Sequence, residues 1–311
     1  MVQGLLVVVP REFADAVVRR SGDVGQRWLE AVPALVERLC VRWQIELTGD
    51  PALYGDNNLL LPAHHAADGC MLKLCGPGHD TAAEATALLA WDGRGAVRLQ
   101  EASPEEGALL LERLDGSRSL SSLNLFEAAE VAGDLIRQLT IPAPPGLRQL
   151  GDMATEIAET VGARQTGLGN PVPARWAALA AGLAAELAAD AGADLVHADL
   201  HYGNVLAGTR QRWLAIDPKA IAGDPELSVP ELMWSRLDEA ENASDIRALL
   251  GALTNAAALD PAKARAWTIV RAVDYWLWGL DHGFTEDPVR CHRLLDTLAW
   301  ADLPGSGWAR F

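Results

Sequence analysis

Residues 197–217 hold the side chains best suited to chemistry, and their types point to the handling of a metal-bound phosphate. The stretch reads His197-Ala-Asp199-Leu-His201-Tyr-Gly203-Asn204-Val-Leu-Ala, a polar turn with Gly208, and then Trp213-Leu-Ala-Ile216-Asp217. Two apolar runs flanking a turn predict a β-hairpin, with Val205 opposite Ile216 and Asn204 opposite Asp217. A carboxamide oxygen and a carboxylate at one open end are hard donors of the kind Mg²⁺ accepts while it keeps water and substrate phosphate at its other positions. Asp199 stands five residues before Asn204, near enough to face the same ion without ligating it. The implied division is Asn204 and Asp217 on the metal, and Asp199 receiving or orienting the hydroxyl that attacks a γ-phosphate. Loop His, Asp and Asn often only satisfy local backbone groups, but several fixed spacings hold here at once. His197 reads as a buried scaffold of the loop rather than a proton carrier, and His201 as a second scaffold residue.

The elements that must position this stretch fall into two parts. In the first, Gln26 to Arg42 has apolar residues at helical spacing, and Trp43 to Leu47, Leu59 to Leu61 and Met71 to Leu74 are short apolar runs separated by turn residues. Asp80 to Trp91 predicts a helix capped by Asp80, and Val97 to Leu99 and Leu109 to Glu112 two more strands. The expectation is a five-stranded antiparallel sheet with a helix packed on it, over residues 1–114. From 115 to 311 the chain turns Ala- and Leu-rich at helical spacing, with helices expected near 125–140, 173–190, 229–240, 244–257, 262–282 and 288–301. The fold class is therefore α+β, bilobal, with a mainly helical second lobe.

Composition narrows the function. Half of the 311 residues are hydrophobic and the net charge is −16, which excludes a disordered chain and disfavours nucleic acid as a partner. The four cysteines show no metal-ligand clustering with the seven histidines, so neither a zinc site nor a disulfide framework is expected. The apolar run Leu5 to Val9 stops at Pro10 without a basic segment before it, and no stretch reaches membrane-spanning length. A cytoplasmic protein without a membrane partner, and a monomer, is the expectation. Of 26 basic residues only Lys73, Lys219 and Lys263 are lysines.

HADLHYGNVL followed by WLAIDP resembles the signature of the aminoglycoside phosphotransferases, a branch of the protein-kinase-like fold. LLLERLDGSRSL, the PAPPGL loop and WLAIDPKAIAGDPE are most similar to its streptomycin 6-kinase and hydroxyurea phosphotransferase group, over most of the chain. The resemblance implies ATP and Mg²⁺ as cofactors and an alcohol acceptor: a streptomycin hydroxyl, phosphorylated with resistance as the outcome. Other acceptors within the fold are hydroxyurea or an endogenous sugar or amino alcohol, and a rival of another class is an inactive pseudokinase that only binds. Lys73, in the strand Met71 to Leu74, would lie over the α- and β-phosphates with Glu84 as its carboxylate partner; the alternative is a Lys73 pointing outward from an edge strand. The backbone of Glu112 to Leu114 would bond adenine.

Two features depart from the family pattern. No G-x-G-x-x-G precedes Lys73, the segment Gly49 to Asn58 taking its place, and Ser228 stands where a second Asp normally braces the catalytic loop, a task Asp224 would share. Lys219 is unusual and reads by default as solvent-facing. For a cationic acceptor such as an aminoglycoside, Asp274, Trp278 and Asp281 share one face of the 262–282 helix at i, i+4 and i+7, two carboxylates around an indole suited to a guanidinium. Trp278 as core is the competing reading. Glu226, Glu231 and Asp238 are further acidic candidates.

Overall fold

A computed structural model describes residues 8–66 and 68–299. Residues 5–7 of the early apolar run and the last two positions of the 288–301 helix lie outside the described residues. The chain divides into two compact units, one ending at Asp115 and the other beginning at Gly116.

The first unit opens with α1 (Arg11–Trp43), which is interrupted at Gly22, where φ is 53° and ψ −135°. That conformation suits glycine, so the segment is two helices joined at a bend, of which the periodicity over 26–42 had marked only the second. The strands are β1 (Ile45–Leu47), β2 (Leu53–Tyr54), β3 (Asn58–His65) and β4 (Asp68–Cys75), then α2 (Thr81–Trp91), β5 (Leu99–Ser103) and β6 (Ala108–Glu112). They form one antiparallel sheet ordered β1-β3-β4-β6-β5, with β2 paired to β3. The sheet thus has six strands rather than five, because the segment preceding Asn58 folds back as the two-residue β2. β5 starts at Leu99 instead of ending there: it is the edge strand, bulged between Leu99 and Glu101, and its polar residues hide the alternation that marks a half-buried strand.

Strand pairing sorts the sheet into two faces. Leu59, Leu61, Ala63, Cys70, Leu72, Leu74, Ala108 and Leu110 share a core with Phe13, Val17, Val32, Val36 and Leu39 of α1. Alternation sends Lys73, paired with Leu60 and Leu109, to the opposite face, and Cys75 two residues on lies on that face as well. α2 is held at its start by Asp80, whose carboxylate accepts from the Ala83 amide at 3.0 Å.

The second unit contains β7 (Asp115–Ser119), α3 (Leu125–Leu139), β8 (Arg148–Gln149), α4 (Leu150–Gly167), α5 (Ala174–Ala188), β9 (Asp194–Val196), β10 (Val205–Ala207), β11 (Trp213–Ala215), β12 (Ile221–Gly223), α6 (Val229–Trp234), α7 (Ala243–Ala257), α8 (Pro261–Asp281) and α9 (Glu286–Leu298). α4 escaped the sequence reading: its buried Leu150, Ala154, Ile157 and Val161 form a thin stripe, and no side chain caps its start. α6 is shorter than the expected 229–240 helix, giving way to a 3₁₀ turn at Leu237–Glu239. α3 packs on α7 so closely that a Cβ at Gly133 would stand 2.6 Å from the Ala256 Cβ. Two small sheets, β11-β10-β7 and β8-β12-β9, carry the loops that matter for function. Among the described residues no helix is long and apolar enough to cross a membrane.

Candidate functional site

The loop 197–204 leaves β9 and enters β10, and the loop 216–220 joins β11 to β12, so the two short sheets bring both loops side by side. β12 pairs with β9 and β11 with β10, in antiparallel register. Three hydrogen bonds stitch the loops together and a fourth closes the 197–204 loop on itself. His197 Nε2 lies 2.9 Å from the Ile216 carbonyl oxygen, the Lys219 amide donates to the His197 carbonyl at 2.9 Å, the Ile216 amide to the Asn204 carbonyl at 2.9 Å, and the Asn204 side-chain amide to the Asp199 carbonyl at 2.9 Å.

The hairpin register differs by one residue from the expected one: Val205 faces Ala215 and Ala207 faces Trp213, so Asn204 stands opposite Ile216 rather than Asp217. The turn closes between Gly208 and Arg212, whose backbone bond sets this pairing. Asp217, just past the strand, has a left-handed backbone at φ 57°. Ala198 is also left-handed, at φ 54°, so a non-glycine residue on each loop holds a conformation that costs of order 1–3 kcal/mol, a strain typical of functional turns.

Burial pushes the Asp199 carboxyl up, while Lys219 and, more weakly, His201 pull it down and Asp217 pushes it up again. These mutual influences place Asp199, Asp217 and Lys219 in one charged cluster. Lys219 is not the bystander expected from sequence: its ammonium lies 3.0 Å from Asp199 Oδ2. Nothing in the local sequence marks this, since only the β9–β12 pairing aligns residue 219 with residue 197. Glu231, on α6, is pushed up to about 7 by burial, offset by Arg271 and raised further by Asp199, so it belongs to the same neighbourhood rather than to the surface. His197 is buried and pushed down to about 4 by desolvation, hence neutral, with its Nε2–H on the Ile216 carbonyl. His201 serves the loop as well: its Nδ1 accepts from the Gly203 amide at 3.1 Å.

Asn204 directs its amide nitrogen to the Asp199 carbonyl, which leaves the carboxamide oxygen for a ligand. The Asn204 carboxamide oxygen and the Asp217 carboxylate are hard oxygen donors, the type Mg²⁺ takes.

Ser228 is buried, and Asp224 does not brace the 197–204 loop. Asp224 instead accepts from Lys263 at 2.6 Å and from the Trp267 indole at 3.0 Å, tying the end of β12 to α8. The loop is braced by backbone bonds from residues 216 and 219.

In the first unit, Lys73 and Glu84 meet. The ammonium lies 2.7 Å from both carboxylate oxygens, with side-chain exposures of 3% and 0%. β4 is a central strand, so the edge-strand alternative for Lys73 is excluded. His79 Nε2 lies 2.7 Å from the same carboxylate. The Glu112 amide donates to the Arg98 carbonyl at 3.0 Å and its carboxylate accepts from the Arg98 amide at 2.8 Å. β6 ends at Glu112, so Leu114 lies just past the strand end.

The proposed acceptor residues fare differently. Asp274, Trp278 and Asp281 do share one side of α8, but Asp274 is already paired with Arg164 at 2.5 Å and with Arg271, guanidinium groups of the chain itself. It is a structural ion pair, not an open seat for a substrate. Glu226 is buried and accepts from the Asp260 amide at 3.1 Å, so it positions the start of α8 instead of meeting a ligand. Asp238 is paired with Arg290 at 2.5 Å. Trp278 is 40% exposed, not core, and stacks on Tyr275 at 5.4 Å, which stacks on Trp234 at 4.9 Å. Asp281 is exposed beside it.

A small antiparallel sheet with a buried Lys–Glu pair, followed by a helical unit carrying the 197–217 loops, is the architecture of the protein-kinase-like phosphotransferases. Among solved structures the chain is similar to the aminoglycoside phosphotransferase APH(4)-Ia (TM-score 0.59, 17% identity, covering 89% of this chain and 100% of that one). It is also similar to the choline kinase LicA from Streptococcus pneumoniae (TM-score 0.57, 16% identity, 86% and 98% covered). It is 40% identical over 290 residues to a streptomycin 6-kinase of Streptomyces glaucescens, covering 89% of this chain and 92% of the relative. It is equally 40% identical over 293 residues to a hydroxyurea phosphotransferase of Kitasatospora aureofaciens, with 92% and 84% covered. The model of the aminoglycoside/hydroxyurea antibiotic resistance kinases matches residues 42–283, and the chain belongs to that family.

Proposed function

We propose that this kinase transfers the γ-phosphoryl group of ATP to a hydroxyl of streptomycin, a streptomycin 6-phosphotransferase activity that confers resistance. The observation that supports the phosphoryl-transfer reading is the 197–217 cluster: a desolvated Asp199 beside Lys219, with the Asn204 amide on the Asp199 carbonyl and Asp217 acting on Asp199 by its charge. The acceptor follows from the likeness to the streptomycin kinase over nine-tenths of the chain.

Asp199 accepts the proton of the acceptor hydroxyl as its oxygen bonds to the γ-phosphorus and the bond to the β,γ-bridging oxygen breaks, releasing ADP. Its position is fixed by the Asn204 amide on its own carbonyl. Lys219, with its side chain two-thirds exposed, opposes the upward push of burial on the Asp199 carboxyl and brings a mobile positive charge to the transferring phosphoryl group. Lys73 clamps the α- and β-phosphates, oriented by Glu84. Mg²⁺ on Asn204 and Asp217 would neutralise charge on the phosphate oxygens. The backbone of Glu112 to Leu114 contributes hydrogen bonds to adenine. With Asp274 and Glu226 engaged elsewhere, the guanidinium groups of streptomycin would meet Trp278, Tyr275 and Asp281, a stacked and acidic surface on α8.

The equal identity to the hydroxyurea phosphotransferase makes hydroxyurea the second acceptor to try. The test is ADP release with Mg²⁺ and ATP against streptomycin, other aminoglycosides, hydroxyurea and small amino alcohols. Turnover with streptomycin above the water background supports the reading. Turnover with hydroxyurea alone replaces the acceptor, and no turnover with any of them leaves a binding module.

A further inference from the structure

The sequence offered no metal-ligand clustering of cysteine with histidine, yet the fold makes one in the first unit. Gly76-Pro77-Gly78 turns the chain back after β4, with the His79 amide donating to the Gly76 carbonyl at 3.2 Å, and returns His79 over the sheet face that carries Lys73 and Cys75. Gly76 has no room for a side chain: a Cβ there would lie 2.8 Å from the Asn57 carbonyl oxygen. α2, capped by Asp80, then sets Glu84 above the same face. One ligand atom each from Cys75, His79 and Glu84 lie within 4.8 Å of one another. Cys75 and Glu84 are buried and His79 is 13% exposed.

We propose that Cys75, His79 and Glu84 form a binding site for a thiophilic divalent cation of the Zn²⁺ class, and that its occupation draws Glu84 from Lys73 and slows the kinase. The donor set is sulfur, imidazole nitrogen and carboxylate oxygen, the three ligand types Zn²⁺ favours, with a fourth position left for water. Bonds of about 2.0–2.3 Å in a tetrahedron need ligand atoms about 3.3–3.7 Å apart, so the three atoms close on an ion by shifts of the order of 1 Å or less. The hard cations that serve phosphate chemistry bind a thiolate poorly, which separates this site from the oxygen donors Asn204 and Asp217.

Without metal, His79 Nε2 lies 2.7 Å from the Glu84 carboxylate. Burial alone would favour the neutral imidazole, but hydrogen bonds to Cys75 and Glu84 overcome it and hold His79 protonated, pushed up to about 10. An entering M²⁺ takes the place of the protons its ligands hold, forming M–S, M–N and M–O bonds with no change of oxidation state. The carboxylate that turns to the ion is the one holding Lys73 at 2.7 Å. The inhibitory half of the proposal rests on the assignment of Lys73 to the nucleotide phosphates; the binding half does not.

Co²⁺ titration of the chelator-washed full-length protein without nucleotide reads the site directly. A sulfur-to-cobalt charge-transfer band with the visible bands of four-coordinate cobalt is expected, and Zn²⁺ should abolish both. Cys75→Ser should remove the charge-transfer band, His79→Ala should weaken Co²⁺ binding by at least about tenfold, and Cys70→Ala should leave the spectrum unchanged. In ADP-release assays Zn²⁺ should lower wild-type turnover and spare Cys75→Ser. Absence of the band, or its persistence in Cys75→Ser, overturns the site. A band with equal Zn²⁺ sensitivity of wild type and Cys75→Ser overturns the link to Lys73. A kinase assay that is silent throughout counts against the phosphoryl-transfer reading, while the cobalt spectrum still decides the site.

Discussion

Replacing one member of the Lys73–Glu84 pair should damage the protein far more than replacing both. At 2.7 Å the two charges attract by about 6 kcal/mol at an effective dielectric near 20, and each lost several kcal/mol of hydration on burial. The pair therefore contributes little net stability, but either charge without the other loses its strongest counter-charge, although Glu84 keeps the His79 ring at 2.7 Å. Glu84→Gln is expected to cost about 3–5 kcal/mol, Lys73→Met less because His79 still faces Glu84, and the double variant to return to within about 1 kcal/mol of wild type. With a urea slope of about 2 kcal/mol per molar, Glu84→Gln lowers the midpoint of the transition by about 2 M and Lys73→Met by less, while the double variant unfolds near wild type. Circular dichroism and tryptophan fluorescence on the four proteins complete the double-mutant cycle. A double variant whose loss equals the sum of the single losses would refute the reasoning, since it would mean that the charges are solvated or held by others.

Lys219 is expected to set the acid limb of the pH–rate profile. Its charge, 3.0 Å from Asp199 and largely exposed, is worth about 1.4 kcal/mol at the dielectric of water. Removing it in Lys219→Met lets burial push the Asp199 carboxyl further up, so the acid limb of kcat/KM should move to higher pH by about one unit; an unmoved or lowered limb contradicts the pairing. Gly133→Ala should destabilise the second unit by about 1–3 kcal/mol in chemical denaturation, since its Cβ would sit 2.6 Å from the Ala256 Cβ and 2.8 Å from the Leu253 carbonyl. Gly182→Ala, on α5 with open space around it, should be neutral or stabilise by up to about 1 kcal/mol, the sign being the check.

What was legible in the sequence tracked how local the determining physics is. The 80–91 helix announced itself through its cap, and α3, α5, α7 and α8 through periodicity, since caps and stripes are written within one element. α4 lacked a cap and β8, β9 and β12 are two or three residues long, too short for any pattern. The hairpin was legible but its register was not, because the turn geometry between Gly208 and Arg212, rather than the apolar runs, sets it. The same limit applied to side-chain partners. Lys73 and Glu84 were separated by a turn whose course followed from Asp80, whereas Lys219 reaches Asp199 only through strand pairing, and Arg164 reaches Asp274 across 110 residues. Charges that looked free to receive a substrate were already used inside the fold.

The central claim is that this chain moves a phosphoryl group onto streptomycin with Asp199 taking the proton. Mass spectrometry of streptomycin after incubation with ATP, Mg²⁺ and enzyme, run beside Asp199→Asn, tests it most directly. The account predicts streptomycin bearing one added phosphoryl group with wild type, and a rate lower by about 10²–10⁴ with Asp199→Asn while the variant still binds ATP. Unmodified streptomycin with the wild-type enzyme, or phosphorylation at an undiminished rate by Asp199→Asn, would contradict it.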